Sequence, residues 1–319
     1  MKRVLKFLVI ISFLLGVLGA CSWQQLAVDS VAGMLGSEES LVFLGEDDPD
    51  LVGEALPFGL KLYESLLEQS PKNPSLLLTT AKAFALYAFG YVQFKAEMET
   101  DDYKEQEYLL KRAKKLFLRG RHYIFQALDL RYPGFSNSVF DPQNISLIGD
   151  IKNQDLPYLY WGASCWLGAF STDSFDMEML LSLKIPLIML ERCLEINPSY
   201  DSGGIFDILI SYYGSLPVEM GGSEEKARES FKSSIEISKG YKAAPYMNLA
   251  LTVCISRQYY DEFKSLLQKV LDLDLEKSPE NRLLNRLAQK KAAWYLEHLE
   301  DFFLLPLEGD KPWNNEIDE

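Results

Sequence analysis

The sequence predicts an all-α protein built of stacked antiparallel helix pairs. Between residues 51 and 305, apolar residues recur at the three- and four-residue spacing of amphipathic helices, and Pro, Gly and Asn interrupt the pattern. Strand-like alternation flanked by turn signals is almost absent from the same region. A content of 48% hydrophobic and 24% charged residues is that of a folded globular chain, which excludes a disordered or collagen-like protein.

The first twenty residues have the pattern of an export signal. Lys2, Arg3 and Lys6 make the start cationic, an apolar run follows, and small residues precede Cys21. The stretch resembles a bacterial lipobox, in which the cysteine is lipidated and becomes the mature N-terminus. The alternatives are an ordinary signal peptide before a coincidental cysteine, or an uncleaved anchor, for which the apolar run is too short.

We therefore predict a lipoprotein signal peptide over residues 1–20 and a lipid, such as palmitate, on Cys21. Such an anchor holds the rest of the chain on a membrane surface outside the cytoplasm. The predicted location is periplasmic, and the sequence does not decide between the inner and the outer membrane.

Residues 21–50 are predicted to tether the helical region to this anchor. They mix small, polar and acidic residues, with one short amphipathic helix indicated over residues 26–35. The acidic cluster at residues 45–50 has ligand types that suit Ca²⁺ but not the spacing of a calcium loop, so a solvated linker is favoured. A tetratricopeptide-like repeat domain is predicted over residues 51–305, and an acidic tail over residues 306–319.

The evidence for repeats lies in how the predicted helices end. Three of them stop at a proline that closely follows an apolar pair, namely Pro71, Pro133 and Pro198. Residues 227–236 carry the small, aromatic and small–apolar positions of the second helix of a tetratricopeptide repeat. Equivalent positions lie 61, 66, 41 and 35 residues apart, and only the last spacing approaches the repeat period. A generic helical bundle would show similar amphipathicity, although we favour repeat-like stacking.

A cationic stripe follows one side of the helix predicted over residues 103–130. The other side is apolar, with Gly120 at its middle, where a neighbouring helix can approach closely. The stripe suits docking of an acidic partner or a lipid surface, but a solvated face with local ion pairs is the favoured interpretation. Its cations are Lys111, Arg112, Lys114, Lys115, Arg119 and Arg121, with His122 beside them.

A later predicted helix carries aromatic residues on all sides. A helix that is apolar all round is usually buried, so core packing is favoured. Because Tyr and Trp combine a ring with a polar group, the stretch is also the best candidate to contact a small hydrophobic ligand. The candidate contact residues are Tyr160, Trp161 and Trp166, flanked by Tyr158 and Phe170.

A glycine-rich loop joins two helices in the second half of the chain. Gly221 and Gly222 permit positive φ angles, and Ser223 is a good N-cap for the helix that follows. Glu224 and Glu225 already occupy the first turn of that helix, which weighs against a bound phosphate, and the loop has no Walker-type lysine.

This loop carries the most specific resemblance in the chain. Leu216 and Pro217, two variable residues, and then Met220, Gly221 and Gly222 precede a short amphipathic helix. The pattern is similar to that of the T-component lipoproteins of tripartite ATP-independent periplasmic (TRAP) transporters, notably in spirochaetes. The lipobox, the length and the degenerate repeats agree with this family.

The resemblance implies tetratricopeptide-like helix pairs, a homotrimer, and partnership with the periplasmic solute-binding protein of the transporter. It also implies a central pore or cleft and a capacity for hydrophobic ligands, but no catalytic residues. The candidate contact residues that it adds are Pro217, Met220, Gly221 and Gly222.

Charge and the supply of reactive groups exclude several functions. The formal net charge of −14 becomes −17 when the three cations of the signal are removed, so no nucleic acid binding is expected. Of the two histidines, His122 and His298, neither adjoins a nucleophile motif, and we predict no enzyme, no cofactor and no metal site. The cysteines of the mature helices cannot all pair, and buried free thiols are expected at Cys165, Cys193 and Cys254.

These observations predict a membrane-anchored, non-catalytic accessory subunit of a TRAP solute transporter. Its partners would be the solute-binding protein, the membrane through the lipid on Cys21, and other copies of the chain. A hydrophobic-ligand carrier is a further hypothesis. The alternative is a helical-repeat scaffold lipoprotein that serves envelope assembly. The sequence does not indicate the transported solute.

Overall fold

The computed structural model describes residues 41–99, 101–141 and 145–304, with the side chains of residues 145 and 146 not described. The described residues form helices and connecting turns without any strand, so the predicted all-α class is confirmed. The predicted signal peptide, Cys21, the tether as far as residue 40 and the tail over residues 306–319 lie outside the described residues.

The chain divides into two compact units. Among the described residues, unit 1 contains residues 41–43 and 48–197, and unit 2 contains residues 44–47 and 198–304. The main boundary falls at Pro198, one of the predicted helix stops. Arrangement of the helix pairs into a continuous repeat stack stays a prediction, as do the domain boundaries read from the sequence.

Unit 1 contains nine α-helices among its described residues. Its irregular parts are a π-helical turn at Ala88–Gln93 and 3-10 turns at Ile145–Ile148 and Asn153–Asp155. The α-helices are α1 (Leu41–Leu44), α2 (Pro49–Gln69), α3 (Pro74–Tyr87), α4 (Phe94–Met98), α5 (Tyr103–Arg131), α6 (Phe135–Ser138), α7 (Leu156–Ser171), α8 (Met177–Leu181) and α9 (Lys184–Ile196), the last residue of α1 being assigned to unit 2.

Unit 2 also consists of α-helices joined by 3-10 and π-helical turns. Its α-helices are α10 (Gly204–Ser215), α11 (Glu224–Ser238), α12 (Ala244–Leu249), α13 (Ile255–Arg257), α14 (Tyr260–Leu271) and α15 (Arg282–Glu297). A π-helical turn joins α12 to α13, and 3-10 turns lie at Tyr200–Gly203, Val218–Met220, Leu275–Lys277, Pro279–Asn281 and Leu299–Asp301.

Helix ends follow local sequence signals. Helices α2, α5 and α9 end at Gln69, Arg131 and Ile196, two residues before the predicted proline stops. At their beginnings, α2 and α3 start with a proline in the first turn, where its missing N–H is not needed. The side chains of Asp48 and Asn73 accept backbone N–H groups there, so these two helices begin with satisfied donors.

The acidic cluster at residues 45–50 has structural partners. Asp48 caps α2, and Asp47 accepts hydrogen bonds from the guanidinium of Arg286 on α15, the shorter one at 2.6 Å. The carbonyl oxygen of Gly45 accepts another, from Arg282, at 3.1 Å. The contacts with Arg282 and Arg286 lie within unit 2, and the cap made by Asp48 lies within unit 1, so Gly45, Asp47 and Asp48 each have a structural role.

The core of unit 1 is arranged around α5, which packs on both α3 and α7, while α7 also packs on α9. Gly120 lies at the crossing, where an added Cβ would come within 2.9 Å of the Cys165 sulfur and 3.2 Å of the Ala81 carbonyl oxygen. The predicted close approach at Gly120 is confirmed. Helix α2 covers α3 through Val52, Leu56 and other buried side chains.

The helix running from Pro74 to Met98 through its π-helical turn is long and apolar enough to cross a membrane by length and composition alone. However, 56% of its most apolar window is buried inside the protein, as expected for a core helix. Its buried residues include Leu76, Leu77 and Phe84, so we assign its apolar character to packing.

Unit 2 has its own core. Helix α10 packs on α11 and α12, and α14 packs on α12 and α15. Phe263 and Leu267 of α14 are fully buried against Cys254 and Tyr295. A buried amide braces the unit: Asn285 on α15 accepts from the Ala243 N–H at 2.8 Å and donates to the Tyr241 carbonyl at 2.9 Å.

Candidate functional site

The glycine-rich loop between α10 and α11 is the candidate site with the most specific sequence pattern, and its backbone is closely held. The carbonyl oxygen of Pro217 accepts from the N–H groups of Met220 and Gly222, at 3.0 and 2.9 Å. The Ser223 N–H donates to the Tyr213 carbonyl of α10 at 2.9 Å. These bonds close the loop into a compact turn anchored on the preceding helix.

Both glycines are required by this geometry. Gly221 has φ +97°, in the left-handed region that side chains disfavour. Gly222 has no such φ, but a Cβ on it would lie 1.7 Å from the Leu216 carbonyl oxygen. Ser223 accepts from the Lys226 N–H at 3.3 Å and so caps α11, as predicted. The positive φ that the sequence predicts is confirmed at Gly221, whereas Gly222 serves close backbone contact.

The turn presents two apolar side chains to solvent. Val218 is 70% exposed and Met220 is 41% exposed. Sequence reasoning identified Met220 but missed Val218, although its position between Pro217 and Met220 in a tight loop was a usable signal. A rigid turn with exposed apolar side chains can contact a partner with little loss of conformational entropy.

The aromatic candidates on α7 are mostly core residues. Trp166 is fully buried, with ring centroids of Phe125 and Phe140 at 5.8 and 5.3 Å, and its indole N–H donates to the Ser182 hydroxyl at 3.3 Å. Tyr160 is also buried. This favours the packing interpretation for both residues.

Trp161 is the half-buried member of the three aromatic candidates. The Lys82 ammonium lies 5.7 Å from its ring centroid, and Tyr160 meets it edge to face. Of the three candidates on α7, Trp161 is therefore the one that a ligand could reach without rearrangement of the core.

An open groove of about 440 Å³ lies in unit 1 among α2, α3 and α5. Three of its four charged lining residues are paired with one another: Glu64 accepts from the Tyr123 hydroxyl at 2.7 Å and from Lys61 at 2.9 Å, and it also pairs with Arg119. A groove lined mainly by charged and polar groups is a poor site for a hydrophobic ligand.

Most cations of the α5 stripe have partners within unit 1. Lys111 pairs with Glu107 one turn away, at 2.6 Å. Lys114 binds Asp173 at 2.7 Å and Asp176 at 2.5 Å. Arg119 pairs with Glu64, and Arg112 donates to the Tyr87 hydroxyl at 3.1 Å. The favoured interpretation, a helix face with local ion pairs, describes Lys111. Lys114 and Arg119 instead pair with carboxylates on other segments of unit 1, and Arg112 has a neutral partner.

A buried polar network lies in unit 2 at the start of α10. Lys242 donates to the Asp207 carboxylate at 2.9 Å and to the Asp201 carbonyl at 2.8 Å, and Ser234 donates to Asp207 at 2.5 Å. Burial raises the pKa of Asp207, an effect that the Lys242 ammonium opposes. The network fixes a turn in which Asp201 and Ser202 have positive φ, and its polar groups satisfy one another.

Each histidine contacts a residue four positions away along the chain. His122 meets Gln126 on its own helix at 3.0 Å, and His298 stacks on Trp294 and contacts the carbonyl oxygen of that residue. Within the described ranges, no group of three or more His, Cys, Asp or Glu residues is placed to hold a metal ion.

The three described cysteines are buried free thiols, as expected. Burial raises the pKa of each to about 12, so none has the thiolate character of a nucleophile. They are Cys165, Cys193 and Cys254.

The fold and this site place the protein in the class of all-α proteins. Its most distinctive sequence pattern forms a hydrogen-bonded loop with exposed apolar side chains. A protein-family model described as TRAP transporter T-component matches residues 45–303. The chain therefore belongs to the TRAP transporter T-component family, whose members are accessory components of these transporters. This membership indicates a periplasmic or membrane-associated location.

A relative shows that the similarity extends over most of the chain. An uncharacterized protein of Treponema pallidum (strain Nichols) is 31% identical over 301 residues, which cover 89% of this chain and 93% of that protein. The chain and this relative are thus similar over most of the length of both.

Proposed function

We propose that this protein is a lipid-anchored, non-catalytic accessory subunit of a TRAP transporter that binds the periplasmic solute-binding protein. The observation that carries the proposal is the family match, because it spans both compact units. The export signal and Cys21 support a periplasmic position on a membrane.

The loop over residues 217–222 is the proposed contact surface for this partner. Its backbone is fixed before binding, and Val218 and Met220 are exposed on it. Pro217, Gly221 and Gly222 maintain the turn, and the apolar side chains supply the contact area.

Binding is tested with the purified mature chain and the solute-binding protein encoded beside the same transporter. Met220→Asp is expected to weaken the measured affinity about tenfold, since it places a charge in an apolar contact. Leu130→Asp on α5 is the matched control, because Leu130 has the same 41% exposure but lies outside the loop. Absence of any binding by the wild type would reject the proposed function and favour the envelope-scaffold alternative.

The anchor is tested separately. Wild-type protein expressed in bacteria should incorporate labelled palmitate and sediment with membranes, because an acyl chain partitions into lipid. Cys21→Ser should abolish both the label and the membrane association. Membrane association that survives the substitution would refute lipidation at Cys21.

Assembly and ligand are the remaining parts of the proposal. By resemblance to the family we expect a homotrimer, and light scattering on the purified mature chain should give three times the chain mass. Organic extraction followed by mass spectrometry should release a hydrophobic ligand, and Trp161→Ala should reduce its amount. A clean extract would leave Trp161 with a packing role alone.

A further inference from the structure

Arg121 stands apart from the other cations of the α5 stripe. Lys114 and Arg119 each have a carboxylate partner, but Arg121 has no ion pair or hydrogen bond among the described residues. Lys115 also has no counter-charge there, but it is exposed to water, whereas Arg121 is half-buried. The guanidinium of Arg121 lies over the Trp166 ring, 4.5 Å from its centroid.

In this position the guanidinium of Arg121 loses part of its hydration, and the contacts around it replace only some of that stabilisation. Burial lowers the pKa of Arg121, and the carboxylate of Glu178 opposes this effect from beyond ion-pair distance. Contact with the face of Trp166 offsets part of the loss of hydration. The N–H groups of a half-buried guanidinium nevertheless favour carboxylate acceptors in a planar, two-point arrangement.

Exposed apolar side chains lie on the segments that contact the same tryptophan. The Phe140 ring packs 5.3 Å from Trp166 and is half-exposed, and Leu181 adjoins Ser182, the hydrogen-bond partner of the indole. Met177 lies one helical turn before Leu181 on α8, and both are strongly exposed. We call Phe140, Met177 and Leu181 the apolar rim.

The segment that carries part of this rim is fixed to α5. Lys114 lies two turns before Arg121 on the same face of the helix, and it binds Asp173 and Asp176 directly before α8. Asp176 also caps α8 through the N–H groups of Glu178 and Met179. The surface is therefore preformed, which reduces the entropy lost when a partner binds.

The geometry points to a docking surface in which Arg121 binds an aspartate or glutamate carboxylate of a partner protein while the apolar rim covers apolar residues beside that carboxylate. Charge complementarity selects this occupant, because the unpaired group is cationic and its surroundings are apolar. An anionic membrane is disfavoured by the net charge of −14. The inference rests on the proposed function, and the solute-binding protein is the expected carrier of the acidic segment.

The test measures the affinity of the full mature chain, made without the lipid, for the solute-binding protein of the same transporter. Arg121→Gln is expected to weaken binding at least tenfold, and Arg121→Lys less, because lysine retains the charge without the planar donor pair. Leu181→Asp should have an effect of similar size, and since Leu181 is 81% exposed this variant does not depend on repacking of the core. Lys115→Gln removes an exposed charge from the same helix and should bind within twofold of the wild type.

The outcomes separate the two proposals. Wild-type binding that neither Arg121→Gln nor Leu181→Asp weakens would overturn the docking surface and leave the accessory function intact. A wild type that does not bind would reject the accessory function, and the docking surface with it. If Arg121→Gln fails to fold, as judged by circular dichroism, the affinities of Leu181→Asp and Met177→Asp test the docking surface instead. Unchanged affinity of both variants would then overturn it. Binding to phosphatidylglycerol vesicles that Arg121→Gln abolishes would assign the surface to the membrane and also overturn the inference.

Discussion

Gly222 occupies a position that leaves no room for a side chain, although its backbone angles do not require glycine. Most glycines in turns are explained by a positive φ, as Gly221 is, but Gly222 is held by contact with the backbone of Leu216. The loop carrying Met220 depends on this contact, because the Gly222 N–H also closes the turn on Pro217. A substitution at Gly222 is therefore expected to change the conformation of the whole loop that carries Met220.

Gly222→Ala should destabilise the protein by about 2–3 kcal/mol, because the added Cβ would lie 1.7 Å from a carbonyl oxygen and the backbone must shift. Urea unfolding followed by circular dichroism measures the change. Gly59→Ala is the matched control: nothing lies within 4 Å of its Cβ position, and in the interior of α2 the substitution should stabilise by about 0.5–1 kcal/mol. A Gly222→Ala variant as stable as the wild type would show that the loop has another conformation.

The buried thiols permit a second prediction at the scale of single residues. A chain that begins at Ser22 contains Cys165, Cys193 and Cys254, all with the pKa raised to about 12 by burial. At pH 8 these thiols should not react with Ellman's reagent over an hour, and all three should react at once in guanidinium chloride. Rapid reaction of any thiol in the native protein would contradict the buried environment described for it.

At the scale of elements, an ion pair with two hydrogen bonds joins α11 to α14. The Arg228 guanidinium donates to both oxygens of Glu262, at 2.7 and 2.8 Å, and also to Glu224 at 2.9 Å. The hydrogen bonds from Arg228 lower the pKa of Glu262 below its ordinary value. Since the folded-state pKa is depressed, the pair stabilises the protein above the unfolded-state pKa of about 4.3 and loses that effect as pH falls through the lower, folded-state value.

Glu262→Gln should therefore lower the free energy of unfolding at pH 7 by about 1 kcal/mol, since a two-point pair is stronger than an ordinary surface pair. The difference from the wild type should stay constant down to about pH 5 and shrink below about pH 4.3, the ordinary pKa of a glutamate. Glu107→Gln is the control, because it breaks a single-contact pair with Lys111 within one helix, worth about 0.3 kcal/mol. A difference between wild type and Glu262→Gln that grows as pH falls would refute the assignment.

Helix α7 shows how one element can fit two interpretations in the sequence. Its residues are apolar on every side, which predicts burial, and its aromatic content also suits a ligand. Tyr160 and Trp166 are buried in the core, which disfavours contact of either ring with a ligand. Trp161 is only half-buried, so a ligand could still contact this residue.

For the whole molecule, the proposed removal of the signal peptide would change the net charge. The unprocessed chain has a formal charge of −14 and an isoelectric point of about 4.8. Cleavage before Cys21 removes Lys2, Arg3 and Lys6 without removing any acid, so the mature protein should focus at a lower pH. Isoelectric focusing of cells grown with and without an inhibitor of the lipoprotein signal peptidase would show the shift. Identical positions for both forms would contradict cleavage at this site.

The sequence by itself determined the helical class, the ends of α2, α5 and α9, and the cap of α11. These features depend on a helical period and on capping groups within a few residues, so they can be read locally. The family, too, could be inferred from the loop that contains Gly221 and Gly222, and the match over residues 45–303 confirms it.

Only the tertiary structure decided which charges are paired and which aromatic residues are buried. Lys114 and Arg121 are both cations on one face of α5. The two carboxylates that pair with Lys114 lie 59 and 62 residues away in sequence, whereas Arg121 has no ion pair among the described residues. The roles of Trp161 and Trp166 likewise separate only when α5 and the turn around Ser182 are packed beside α7. Such contacts join residues distant along the chain, and no local pattern encodes them.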